Sequence, residues 1–371
     1  MNKMSAVNTQ TIVVGVDVHK YSHTAVALDC FGSQIGLLHE FTNDFLPEYV
    51  SWLDAFGNRN NPIVALEDVN GYGVHIVRKL ADEGITMRYV PGILTERKRK
   101  QSIHREKSDP VDAMRVAKVI LTNYEETLPA KESIANREER TTAITLDFFL
   151  NERRSLVAEK TILKNQLHAM LHQHMGDHYT DCFPKAFTPK AIGYYLKTVN
   201  PKAIHDSEAS ALVASIRRRL TRLKLLLGQI AEIDKAMKKA AKDSSPVAAL
   251  KKNISGCGDV TACTLIAEVT SIKRFKTKSQ FARYAGIAPV HKSSGNHKRL
   301  YTSPYGNRKV NRALHTIALY QISRVDDNNP GRIYFEKKLN EGKTKLWALR
   351  CLKRQISNRV FQTLKHEYNT R

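Results

Sequence analysis

Thr11 to His19 reads TIVVGVDVH, a β-branched apolar run of strand length with one carboxylate set inside it. Two more such runs follow closely, Thr24 to Cys30 and Gln34 to Phe41, with Gly32 in the turn between them. Runs of this kind bounded by turn residues read as strands, and three in close succession read as a meander. The period then changes. Phe45, Tyr49, Trp52, Leu53 and Phe56 recur at roughly helical spacing. Ile63 to Leu66 is a fourth strand, Val74 to Asp82 a helix, and Thr86 to Val90 a fifth strand. Arg97 to Arg105 reads as a basic loop or a frayed helix, and a further helix runs from Pro110 to about Leu121.

Three strands, then helix, strand, helix, strand, helix, is the order of an RNase H-like domain, so residues 1–125 are expected to form an α/β unit. Beyond them the pattern turns helical and charged. One long helix is expected from Leu146 to about Met175 and another from Glu208 to Lys242. In the second, Ile216, Leu220, Leu223, Leu227, Ile230 and Met237 step by alternating fours and threes, a coiled-coil seam with Asp234 interrupting it. The stretch from His178 to Pro201 separates the two helices, so residues 126–245 read as an extended helical arm. Spacing, dimerisation and gripping nucleic acid are all compatible roles for it. Residues 246–371 read as a third, mainly helical unit. Near its start, ISGCGDVTA (Ile254 to Ala262) resembles the turn of a helix-hairpin-helix, whose glycines let backbone amides approach a phosphate. An ordinary tight turn between helices explains the same residues.

Charge narrows the partner. The formal net charge is +23 and the pI about 9.8, a surplus that fits nucleic acid or an anionic membrane. No stretch approaches the roughly 20 apolar residues of a spanning helix, and the N-terminal MNKMSAVNTQ has no apolar leader region. Lys273 to Lys309 is dense in Lys, Arg, Ser, Gly and Tyr, the composition of a phosphate-binding surface. The five cysteines, Cys30, Cys182, Cys257, Cys263 and Cys351, are odd in number and widely spaced, which speaks against a disulfide framework or a zinc site. They read as reduced thiols of a cytoplasmic protein.

Four acids stand out by position. Asp17 lies within an apolar strand, where a carboxylate is costly without a partner or a metal. Glu67 ends the fourth strand in VALEDVNGYG, with Asp68 beside it as the alternative ligand. Asp109 and Asp112, in KSDPVDA, are three apart and so share one helix face. The same DPVD is also a good helix start, with an Asp cap, Pro at the first helical position and an acid at the third. Asp17 has no such local explanation. Carboxylates from a first strand, a fourth strand and a late helix converge in an RNase H-like sheet. Together they would bind two Mg²⁺ or Mn²⁺ ions about 4 Å apart for in-line phosphoryl transfer. A second constellation is HKSSG (His291 to Gly295) followed by GNRKVNRAL (Gly306 to Leu314). A nucleophilic serine needs a route for its proton and a sink for phosphate charge, and the surrounding cations supply the sink.

On these residues the chain resembles a DEDD transposase of the insertion sequence 110 family, related to the pilin-gene invertases. VGVDVHK, ALEDVNGYG and KSDPVDA resemble that family's three acidic motifs, and the helical insertion comes in the expected place. ISGCGDVTA, FARYAGIAPVHKSSG and GNRKVNRAL resemble its C-terminal transposase domain in order and spacing. The resemblance implies that Asp17, Glu67, Asp109 and Asp112 bind metal in a RuvC-like domain. It implies that Ser294, the residue before the glycine, attacks DNA to form a covalent phosphoserine. Ser293 is the fallback, because the doubled serine leaves the register open. It further implies a homo-oligomer, dimer or tetramer, and a structured guide RNA encoded beside the gene. Asn296 to Pro304 lacks a glycine that some relatives place there. Two other readings remain: a RuvC-like nuclease in which water attacks, and a nucleic-acid-binding protein without catalysis.

Overall fold

The computed structural model describes residues 7–370 apart from 45, 57–61, 68–70, 102–107, 182, 184, 200–206, 295, 296, 303–305 and 324–328. The chain opens with strands β1 (Ile12–Val18), β2 (Ser22–Leu28) and β3 (His39–Thr42), then helix α1 (Leu46–Asp54), β4 (Pro62–Leu66), α2 (Val74–Asp82) and β5 (Met87–Tyr89). Helices α3 (Gly92–Gln101) and α4 (Asp109–Asn123) follow, and then the short strand β6 (Leu128–Pro129). These strands form one mixed six-stranded sheet in the order β3-β2-β1-β4-β5-β6. Strands β1, β2 and β3 pair antiparallel, β1, β4 and β5 pair parallel, and β6 closes the sheet antiparallel to β5. The third strand is shorter than expected. Its first half turns away at Gly36, whose φ of 71° breaks the extended run, leaving only an isolated bridge from Gln34 to Leu28. The basic segment expected as a loop or frayed helix begins earlier, as the regular helix α3.

Side chains alternate across a strand, and β1 shows the consequence. Val14 and Val16 face the layer made by α1 and α2, packing with Tyr49, Leu53, Ile76 and Leu80. Val13 faces α4, packing with Ala113, Ala117 and Ile120. By that period Gly15 and Asp17 also lie on the α4 face.

After α5 (Lys131–Ile134) comes α6 (Arg137–Met175), a helix of 39 residues. It begins nine residues before the expected Leu146, because Asn136 and Glu139 form a reciprocal capping box: the Asn136 side chain accepts from the Glu139 amide at 2.8 Å, and the Glu139 carboxylate accepts from the Asn136 amide at 3.2 Å. Helices α7 (Pro189–Thr198) and α8 (Ser207–Ala241) follow. Helix α8 runs antiparallel to α6, since their polar pairs move in opposite directions: Arg153 with Asp234, Glu159 with Arg222, Gln166 with Arg219. The buried seam of α8 includes Ile216, Leu220, Leu223, Leu226, Ile230, Ile233 and Met237. Leu226 and Ile233 therefore take the places expected for Leu227 and Asp234. Asp234 lies at the edge, held by the Arg153 guanidinium at 2.6 Å, where a charge is partly hydrated.

The remaining chain is mostly helical: α9 (Ser245–Asn253), α10 (Asp259–Val269), α11 (Lys278–Tyr284), a hairpin of β7 (Pro289–Ser294) and β8 (His297–Thr302), then α12 (Arg308–Ser323), α13 (Pro330–Asn340) and α14 (Lys345–Asn369). Its core also takes in Leu146, Leu150, Met237 and Ala241 from the base of the α6–α8 pair. It touches the sheet where Arg274 donates to the Pro129 carbonyl at 3.0 Å. Among the described residues no helix is long and apolar enough to cross a membrane, and Cys30, Cys257, Cys263 and Cys351 are free thiols. Cys182 lies outside the described residues.

Candidate active site

Strands β1 and β4 are parallel neighbours, with Val16 opposite Leu66. The next residue on each is an acid, Asp17 on one and Glu67 on the other. Both thus sit at the carboxyl ends of adjacent parallel strands, the edge of an α/β sheet where ligands bind. Helix α4 crosses β1 over Gly15, so closely that a β-carbon there would fall 2.0 Å from the Ala113 carbonyl oxygen. This approach carries the first turn of α4, with Asp109 and Asp112, to the Asp17 end of the strand.

A side chain the sequence reading gave no role completes the cluster. His19 is two residues beyond Asp17, and its Nε2 stands 3.3 Å from the Asp17 carboxylate and 3.3 Å from that of Asp109. One ligand atom from each of these three residues lies within 4.8 Å of the others. The period-two spacing in VDVH was the available signal, because it puts Asp17 and His19 on one face. Asp112 pairs with the nearly buried Arg115 guanidinium at 2.6 Å, one turn along α4. Glu67 accepts a hydrogen bond from the Thr95 hydroxyl at 2.8 Å. Its other oxygen would lie 2.6 Å from a β-carbon placed on Gly92, so α3 meets this acid with a glycine. Ser108, not Asp109, takes the position before the first helical residue, which leaves the Asp109 carboxylate facing His19. Asp68 lies outside the described residues.

Burial holds the Asp17 carboxyl above the usual carboxylate range; His19 opposes that shift, and the charges of Asp112, Asp109 and Glu67 add to it. The structure brings Asp17 and Asp109 together with His19, whereas Glu67 and Asp112, held by Thr95 and Arg115, influence Asp17 by charge without joining that ligand group. Carboxylates crowded this way favour a bound cation, and their hard oxygen donors suit Mg²⁺ or Mn²⁺.

Ser293 and Ser294 close strand β7, opposite Lys298 and His297 of β8. The predicted nucleophile thus belongs to a two-stranded hairpin within the helical unit, a feature the composition of that segment did not reveal. The side chains of residues 291–300, and residues 295 and 296 entirely, lie outside what the structure describes. The GNRK stretch after the hairpin is tied firmly in place. The Asn307 side chain accepts from the amides of Lys309 and Val310 and donates to Glu268 at 2.6 Å. Lys309 bridges Glu268 and Asp147 at 2.6 and 2.9 Å. In ISGCGDVTA, Gly256 adopts a φ of 81° and its Cα faces the Tyr320 ring. The start of α10 carries Asp259, which pairs with Lys251 and Lys238.

A mixed sheet with carboxylates at its parallel edge, joined to a helical unit rich in cations, is an arrangement suited to a protein that acts on nucleic acid, and the comparisons give the family. A DEDD transposase family model, described as "Transposase", matches residues 14–175, and a second, described as "Transposase IS116/IS110/IS902 family", matches residues 248–334. The chain belongs to the insertion sequence 110 family of DEDD transposases. It is 22% identical over 380 residues to the "Insertion element IS116 uncharacterized 44.8 kDa protein" of Streptomyces clavuligerus, covering 93% of this chain and 92% of that one. It is 31% identical over 124 residues to the "Insertion element IS110 uncharacterized 43.6 kDa protein" of Streptomyces coelicolor, a match spanning 33% of this chain and 30% of that protein.

Proposed function

We propose that this protein is the transposase of an insertion sequence, cutting and rejoining DNA through a covalent phosphoserine intermediate. The observation that supports it most is the cluster of Asp17, His19 and Asp109 at one sheet edge, with Glu67 at the end of the neighbouring parallel strand and Asp112 one turn along the same helix. In this reading residues up to about 125 form an RNase H-like catalytic unit, a coiled-coil arm reaches to about 245, and the rest carries Ser294. The four carboxylates would hold Mg²⁺ or Mn²⁺, and the ion would supply stabilisation of the charge that develops in phosphoryl transfer. Thr95 and Arg115 fix the orientation of Glu67 and Asp112, and His19 bridges the carboxylates of Asp17 and Asp109.

The Ser294 hydroxyl attacks the phosphorus of a DNA phosphodiester. An O–P bond to serine forms, the bond to one DNA oxygen breaks, and the serine proton leaves as that oxygen gains one. A hydroxyl on the incoming strand then displaces serine, so the count of phosphoester bonds is conserved and no high-energy cofactor is consumed. DNA, a structured guide RNA and further copies of the chain are the partners this reading requires.

The test is a search for a protein–DNA adduct on a denaturing gel, using labelled DNA spanning the ends that flank the gene, Mg²⁺ and co-purifying RNA. An adduct lost in Ser294→Ala and in Asp17→Ala is the expected result. Cleaved DNA without an adduct, unchanged in Ser294→Ala and Ser293→Ala, would replace this mechanism with attack by water.

A further inference from the structure

A second charged site lies away from the carboxylates, in a pocket of about 200 Å³ between α12 and α14. Its polar lining is Arg308, Asn311 and His315 from α12 and Arg350 and Lys353 from α14, and none of its lining residues is acidic. Elsewhere on this chain cations in similar positions have carboxylate partners: Lys309, next to Arg308, has two. Here the fixed contacts use neutral groups. The Asn311 amide nitrogen donates to the carbonyls of Ala285 and Gly286, which turns its oxygen toward Lys353 at 2.7 Å. Arg350 lies over the Trp347 ring at 4.5 Å, which orients the guanidinium without neutralising it.

Three cations and an imidazole with no acidic partner among the described residues are self-repelling. Burial, and then Arg350 and Arg308, push the Lys353 ammonium down to about 8. Burial and Lys353 also lower His315. Such an arrangement is relieved when an anion enters, and guanidinium forks with a lysine match the oxygens of a phosphate.

We infer that this pocket binds one backbone phosphate of a nucleic acid, with Arg308, Arg350 and Lys353 as the gripping groups. The inference rests on the proposed action on nucleic acid only for the source of the phosphate. Gly286 and Ile287, which line the pocket, lead directly into the hairpin whose first strand ends at Ser294. A phosphate held there would anchor a strand at the root of that hairpin. DNA and guide RNA carry the same phosphodiester, so both are probes.

The experiment has two arms, neither of which needs catalysis. In the first, thermal unfolding of the full chain is followed in sodium phosphate and in sodium chloride of matched ionic strength. Phosphate is expected to raise the Tm of the wild type and of Lys239→Met, a change at an exposed lysine on α8, but not of Arg308→Gln or Lys353→Met. In the second, binding of a DNA duplex and of an RNA hairpin is measured against salt. Each pocket variant is expected to lower the slope of log K against log salt by about one for whichever nucleic acid fills the site. Equal unfolding of the wild type in phosphate and chloride would overturn the anion site, whether or not the variants fold. A phosphate effect with both slopes unchanged would overturn the backbone assignment. A missing DNA adduct bears on the serine mechanism alone and leaves both arms readable.

Discussion

Gly15 of β1 lies directly beneath Ala113 of α4, where a β-carbon would come within 2.0 Å of the Ala113 carbonyl oxygen and 2.7 Å of the Ala117 amide nitrogen. Both neighbours are backbone atoms of a helix and cannot rotate away. Gly15→Ala therefore forces α4 off the sheet, at about 3 kcal/mol or more, the upper range for overpacking. Urea unfolding measures the loss. The same shift carries Asp109 and Asp112 away from Asp17, so stabilisation by Mn²⁺ disappears with it. A variant with wild-type stability would refute the close packing.

Asp17 is ionised at a cost, because burial and three neighbouring acids oppose its charge. A carboxyl whose folded pKa is raised destabilises the fold at neutral pH, where it must ionise. Asp17→Asn removes that charge at similar volume. In metal-free buffer it should be the more stable protein, read as a rise in Tm of about 1 °C for each kcal/mol gained in a chain of 371 residues. With Mn²⁺ the order reverses, since only the wild type gains from the ion. Loss of stability in both buffers would mean that Asp17 serves the fold alone.

Gly92 and Glu67 provide a finer probe. A methyl group on Gly92 would meet only the end of a flexible side chain, Glu67 Oε1, at 2.6 Å. Gly92→Ala should thus cost under about 1 kcal/mol, since the carboxylate swings aside instead of the backbone. Metal affinity, read by titration of Mn²⁺, should fall by about tenfold or more, as when the supporting contacts of a ligand are disturbed. Unchanged affinity would remove Glu67 from the proposed set.

Lys353 has its pKa lowered from 10.5 to about 8 in the folded chain. Between those values the unfolded chain binds the extra proton, so stability contributed by this group rises as pH climbs through the window. Below it, the folded protein bears the cost of the charge. Lys353→Met should accordingly be more stable than wild type at neutral pH in phosphate-free buffer. The gain is about 1 kcal/mol once partial solvent screening is allowed for. That advantage should vanish in alkaline buffer, which unfolding curves across pH would reveal.

The sequence by itself determined the local pieces. Alternation and β-branching marked the strands, and the placement of single acids within or at the ends of those runs marked Asp17, Glu67, Asp109 and Asp112. Six motifs in order marked the family. Local pattern also misled where two adjacent residues compete for one face: Leu226 and Leu227, or Ile233 and Asp234, differ by about 100° around a helix, and only tertiary packing selected Leu226 and Ile233 for burial. The hairpin carrying Ser294 was hidden because its strands are polar and basic, without the alternation that announces a buried face. Contacts between distant segments were decided by tertiary structure alone. The closeness of α4 to β1, the seat of His19 between two carboxylates and the uncompensated cations between α12 and α14 all depend on elements meeting in space. Periodicity is a property of neighbours along the chain, whereas a site is made by neighbours across it.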